Sequence, residues 1–81
     1  EEFTRKTALY PNPCTDYLTI KLPECDLYSY YSIFDVAGNL KKRVKIDNQI
    51  INDGVDNLPA GLYILKLESK DQSELHKIIK M

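Results

Sequence analysis

Apolar side chains recur at every second position along most of this chain. Leu18, Ile20 and Leu22 alternate with Tyr17, Thr19 and Lys21. A period of two puts alternate side chains on opposite faces of a pleated strand, so residues 17–22 are predicted as a half-buried strand. Residues 28–35 are aromatic and β-branched, which suits a strand. Tyr31 and Ile33 fall on one face, Tyr28, Tyr30 and Phe34 on the other, and apolar residues on both faces predict an inner strand. In residues 40–46, Leu40, Val44 and Ile46 oppose Lys41, Arg43 and Lys45. Lys42 intrudes on the apolar side, as at an edge or a strand end. Ile50-Ile51 forms a short apolar piece. Residues 62–68 place Tyr63, Leu65 and Leu67 together, and residues 74–80 close the chain. No stretch has a convincing period of 3.6.

Three turns separate these runs. In Asp35-Val36-Ala37-Gly38-Asn39, Gly38 takes a positive φ without a Cβ clash, and Asp35 can accept backbone N–H groups of the loop. Leu58-Pro59-Ala60-Gly61 uses Pro59 to preset φ and Gly61 for a left-handed position before the next strand. Asn52-Asp53-Gly54 is read as a third turn. Short strands with turns every 8–12 residues or so predict an all-β protein, an immunoglobulin-like antiparallel β-sandwich of about seven strands. Pro11 and Pro13 then start an edge strand, where a missing donor discourages pairing with another chain.

Composition narrows the function classes. The 81 residues make one domain, and a 43% apolar, 28% charged composition suits a folded one. A net charge of −1 gives no overall field toward nucleic acid or an anionic membrane. No apolar run approaches the roughly 20 residues of a membrane helix. The N-terminus lacks the basic and apolar regions of a signal peptide, so the chain reads as a domain from a longer protein whose export signal lies upstream. Between Cys14 and Cys25 lies a six-residue strand of roughly 20 Å. A disulfide needs α-carbons within about 7 Å, so free thiols are expected.

Candidate chemistry is sparse. His76 with Cys14 is the one nucleophile–base pair to consider, and no motif surrounds either residue. Residues 47–56 are acidic and polar, but Gln49 and Ile51 fall where an EF-hand needs ligands before Gly54, so turn chemistry explains them better. No zinc set or phosphate loop is present. No enzyme activity, metal or cofactor is expected. Lys41-Lys42-Arg43-Val44-Lys45 reads as a solvated strand face rather than a lipid or polysaccharide site. Tyr28, Tyr30 and Tyr31 read as strand packing rather than a sugar-stacking platform.

Four segments resemble the C-terminal sorting domain of the type IX secretion system (type A, the Por secretion family). They are "LYPNP" with "TDYLTIKLP", "YSIFDVAGNL", "VDNLPAGLYILKLES" and "HKIIKM", in that order over residues 9–81. The resemblance implies a linker from an upstream cargo domain at residues 1–8 and a sorting domain at 9–81. It implies a parent protein that crosses the periplasm, is read by the outer-membrane translocon and its shuttle components, and ends at the cell surface or outside. It implies further that a sortase-like surface peptidase commonly cuts before the domain, the cargo being joined to an anionic lipopolysaccharide or released, while some members of the family keep the domain. The recognition residues it suggests are Pro11, Asn12, Pro13, Asp35, Gly38, Pro59, Gly61, Tyr63, Lys77, Ile78, Ile79 and Lys80. Lys77 and Lys80 would pair with acidic groups on a receptor. An exposed terminal strand would add to a partner's sheet or pair two copies as a homodimer.

Two other readings compete. An immunoglobulin-like binding module on a secreted enzyme, for carbohydrate or protein, predicts exposed coplanar tyrosines. A structural spacer predicts a chain that continues past Met81.

Overall fold

The computed structural model describes residues 6–24 and 27–81. Among them seven strands form: β1 (Ala8–Tyr10), β2 (Tyr17–Lys21), β3 (Tyr30–Asp35), β4 (Leu40–Lys45), β5 (Ile50–Gly54), β6 (Gly61–Glu68) and β7 (Ser73–Lys80). They build two antiparallel sheets, ordered β1-β2-β5 and β4-β3-β6-β7. The all-β sandwich expected from the alternation is the observed architecture.

The inner faces supply one core. Leu18 and Ile20 of β2, Tyr31 and Ile33 of β3, Leu65 and Leu67 of β6 and Ile78 of β7 are all buried. β3 lies between β4 and β6, the inner position expected from its sequence. Lys42 lies on an edge strand and turns inward across the sandwich. Its ammonium meets Asp53 Oδ1 at 2.6 Å and Gly54 O at 3.1 Å, joining edge strand β4 to edge strand β5. The Tyr31 hydroxyl donates to the other oxygen of Asp53.

Three local expectations are corrected. Asn52, Asp53 and Gly54 are the end of β5, paired with Thr19, Leu18 and Tyr17, rather than a turn. Turn-forming residue types are tolerated there because Tyr31 and Lys42 satisfy the Asp53 carboxylate. Leu40 does not share a face with Val44. A register shift at Ile33/Phe34 skips Lys41 and sets Leu40 opposite outward-facing Phe34, leaving Leu40 exposed. Gly61 has φ 154°, positive and unfavourable for L side chains but far from the left-handed helical value. Gly38, at φ 89°, does take the expected positive φ.

The Asp35 turn forms as predicted. The carboxylate accepts the Ala37 and Asn39 amides at 3.0 and 2.9 Å, and Gly38 N donates to Asp35 O. The Asn39 amide is the main reason the Asp35 carboxyl is held below its ordinary range. Burial pushes Glu74 up, but hydrogen bonds from Tyr28 and His76 outweigh it and hold this carboxyl low as well. On the alkaline side, burial first and the Glu74 contact second push Tyr28 up to about 12, and burial with the Asp53 contact pushes Tyr31 up further.

Linkage then sets the pH profile. Depressed carboxyls contribute stability above their unfolded values near 4, lost as pH falls through the folded values. Raised tyrosines contribute stability below about pH 10, lost as pH rises through theirs. Urea midpoints are expected to be flat between about pH 5 and 9 and to fall on both sides. Tyr28→Phe is expected to weaken both shoulders; an unchanged profile would contradict the Tyr28–Glu74 assignment.

Candidate functional site

The segments that the sequence singles out are far apart along the chain, and the fold gathers them at one end of the sandwich. β3 ends there at Asp35, opposite Tyr63 of β6. β6 starts there at Gly61, opposite Lys80 of β7. The Tyr63 hydroxyl donates to Pro59 O at 2.6 Å and braces the turn that precedes its own strand.

The Pro-Asn-Pro segment does not begin an edge strand. β2 is the middle strand of its sheet, and residues 11–16 connect it to edge strand β1. Both prolines follow cis peptide bonds. On the way the segment crosses to the other sheet and lies along β7. Asn12 Nδ2 donates to Lys77 O at 2.9 Å, and Asn12 Oδ1 accepts the Ile79 amide at 2.9 Å. Cys14 N donates to Ile79 O at 2.8 Å, Met81 N donates to Cys14 O at 2.8 Å, and Cys14 forms a parallel bridge with Lys80. Asn12 thus uses its side-chain amide as a short imitation of a backbone strand.

This changes the expectation for the last strand. β7 is an edge strand, but its outer edge over Lys77–Met81 already holds Asn12 and Cys14. Addition of a partner strand, or homodimer pairing, along that stretch would have to displace them. Asn12→Ala is expected to cost about 1 kcal/mol for its two lost hydrogen bonds. It should also raise hydrogen exchange at the Ile79 amide, read by NMR; unchanged protection there would refute the clasp.

Burial divides the twelve candidate residues. Pro11, Asn12, Pro13, Gly38, Pro59, Gly61, Lys77 and Ile79 are exposed, and Asp35 is half-buried. Tyr63, Ile78 and Lys80 are buried, so their side chains serve the core rather than a receptor. Lys80 corrects the expectation of two receptor-facing lysines: inward-facing positions alternate along β7, and Lys80 shares the face of Ile78. Its ammonium donates to Met81 O at 3.2 Å, and with Cys14, Val55, Leu58 and Tyr63 it lines a small apolar hollow. Sequence periodicity held the clue, since Ile78 and Lys80 share a parity.

The competing chemistry does not assemble. Cys14 is a buried free thiol pushed up by burial, beside Lys80. His76 pairs with Glu74 on its own strand, four residues or about 13 Å from Lys80. Cys25 lies outside the described residues. The Asp53 carboxylate is engaged by Tyr31 and Lys42. Tyr28 and Tyr31 are buried, and only Tyr30 of the three reaches the surface, under the Arg43 guanidinium 4.6 Å from its ring centre. Tyr28, Tyr30 and Tyr31 therefore do not share an exposed face.

Comparison with known proteins adds two findings. A family model described as a secretion system C-terminal sorting domain matches residues 8–81. Among solved structures, the chain is similar to part of PorZ, an essential bacterial surface component of the type IX secretion system of Porphyromonas gingivalis, with TM-score 0.76 and 18% identity. The match covers 93% of this chain and 11% of that one, and it establishes a shared fold. Comparison with curated proteins found no match.

Proposed function

This chain belongs to the family of type IX secretion system C-terminal sorting domains, and from that premise we propose how it works as an address. The domain is a folded ligand of the export machinery, carried at the end of a secreted or cell-surface protein. Residues 1–8 lead in from the cargo. The folded sandwich is presented in the periplasm to the outer-membrane translocon and its shuttle components. A sortase-like peptidase then acts upstream of the domain, and the cargo is attached to anionic lipopolysaccharide or released. The domain contributes recognition and no bond chemistry.

One observation carries this reading. Asn12 to Cys14 are hydrogen-bonded to β7, so the Pro-Asn-Pro segment, the motif turns and the last strand lie together at one end of the sandwich. An address that must be read only when folded benefits from such an arrangement, because it exists only after segments 65 residues apart have met.

The test is an export assay. Residues 1–81 are fused behind a signal peptide and a fluorescent reporter in a bacterium with a type IX system. The expected result is reporter at the surface or in the medium, lost when residues 76–81 are removed and lost in a strain without the translocon. Reporter held in the periplasm with the intact domain would sink the reading.

A further inference from the structure

The two outer faces of the sandwich differ in charge. On the three-stranded sheet, Tyr10, Thr19 and Asn52 lie side by side, and the Thr19 hydroxyl donates to Asn52 Oδ1 at 2.7 Å. That face also exposes Tyr10, Tyr17 and Ile50, and its strands carry one cation, Lys21. On the four-stranded sheet, strand register puts Arg43, Lys45, Lys66 and Lys77 outward with Glu68. Glu68 is engaged by Arg43 at 3.4 Å and Lys66 at 3.8 Å. Among the described residues Lys45 and Lys77 have no carboxylate partner. A chain of net charge −1 therefore keeps a distinctly cationic face.

The same face has an apolar centre at the motif end. Leu40 pairs with Phe34, Phe34 with Ile64, and Leu62 with Ile79. Leu40, Leu62 and Ile79 are 54%, 41% and 48% exposed. The β-bulge that turns Leu40 outward completes the patch. Contiguous exposed apolar surface rimmed by charge marks a protein-interaction site.

We propose that this outer face docks a protein surface with an apolar centre and an acidic rim, the occupant being a component of the export machinery; the assignment rests on the sorting function proposed above. Charge complementarity selects the sign of the partner. A protein is favoured over a lipid surface because the cations are few, two of them are tied to Glu68, and the whole domain is weakly acidic. Electrostatic membrane binding instead uses larger clusters of free basic residues.

The test compares the unchanged reporter fusion with altered versions of either face. One reverses the two unpartnered lysines, Lys45→Glu with Lys77→Glu, and a second replaces Leu40→Gln with Leu62→Gln. A third alters the opposite face to a similar degree, Lys21→Glu with Ile50→Gln. Circular dichroism melts of the purified domains confirm that each version folds. The expected result is export lowered about tenfold or more by either four-stranded-face version and unchanged by the opposite-face control. Folded versions exported like the unchanged fusion would overturn the docking face while leaving the sorting function standing. No export of the unchanged fusion would overturn both. A flotation arm offers the purified domain vesicles of phosphatidylglycerol and phosphatidylethanolamine. Salt-sensitive binding abolished by the lysine reversals would overturn the protein occupant in favour of a lipid one; no binding supports the proposal.

Discussion

Leu65→Ala is expected to lower the unfolding free energy by about 3 kcal/mol, a large share of what holds the domain folded. Leu65 is fully buried on β6, opposite Ile33 of β3 on one side and His76 of β7 on the other. Its side chain belongs to the core that joins the two sheets. Truncation removes buried apolar surface and leaves a hole that the flanking strands are poorly placed to fill, since each is held by its own ladder. A domain of this size has a total stability of only about 4–12 kcal/mol, so a loss of this size is a large share. Urea unfolding by circular dichroism reads it directly. A shift below about 1 kcal/mol would mean that the core repacks around the gap, contrary to the description of Leu65 as a rigid central contact.

The second large effect is expected at Asp53. Asp53→Ala removes the acceptor of the buried Tyr31 hydroxyl and the counter-ion of Lys42 in one step. Leaving a buried donor unsatisfied and a partly buried ammonium unpaired is expected to cost about 2–4 kcal/mol. The companion variants separate the causes. Tyr31→Phe deletes the donor together with its need for a partner and is expected to cost about 1 kcal/mol. Lys42→Met leaves Asp53 with Tyr31 alone and is expected to fall between them. Urea midpoints for the three single variants and the Lys42/Asp53 double variant form a cycle whose coupling energy reports the clasp. Additive effects would refute the claim that Lys42 and Asp53 jointly close the β4–β5 side of the sandwich.

These residues show how the molecule closes its two open sides. Lys42 spans from β4 to β5 on one side with a charge-assisted bond. Asn12 and Cys14 span to β7 on the other with backbone-like bonds. Asn12 and Cys14 also occupy part of the β7 edge through which a sandwich would otherwise pair with another chain. The outer face of the four-stranded sheet carries four cations beside exposed Leu40, Leu62 and Ile79.

Six of the seven strands, the place where the β3–β4 hairpin turns, and the interior position of β3 were legible in the sequence, whereas β1 (Ala8–Tyr10) was not. Each depends on near neighbours: side-chain parity along a strand, the Asp35 carboxylate within reach of the Ala37 and Asn39 amides, and the positive φ of Gly38. The resemblance of the four segments to sorting domains was also carried by the residues themselves. Tertiary structure alone decided the rest. Asn52-Asp53-Gly54 has turn composition, and only the arrival of Tyr31 and Lys42 makes it a strand end. Leu40 has the parity of a core residue, and only the bulge opposite β3 exposes it. Asn12 reads as part of the start of an edge strand, and only the sheet order brings it to Lys77 and Ile79. The physical reason is common to all three. Local pattern determines which way each side chain points along its own strand, whereas burial, partners and the sign of each face depend on which distant strands become neighbours.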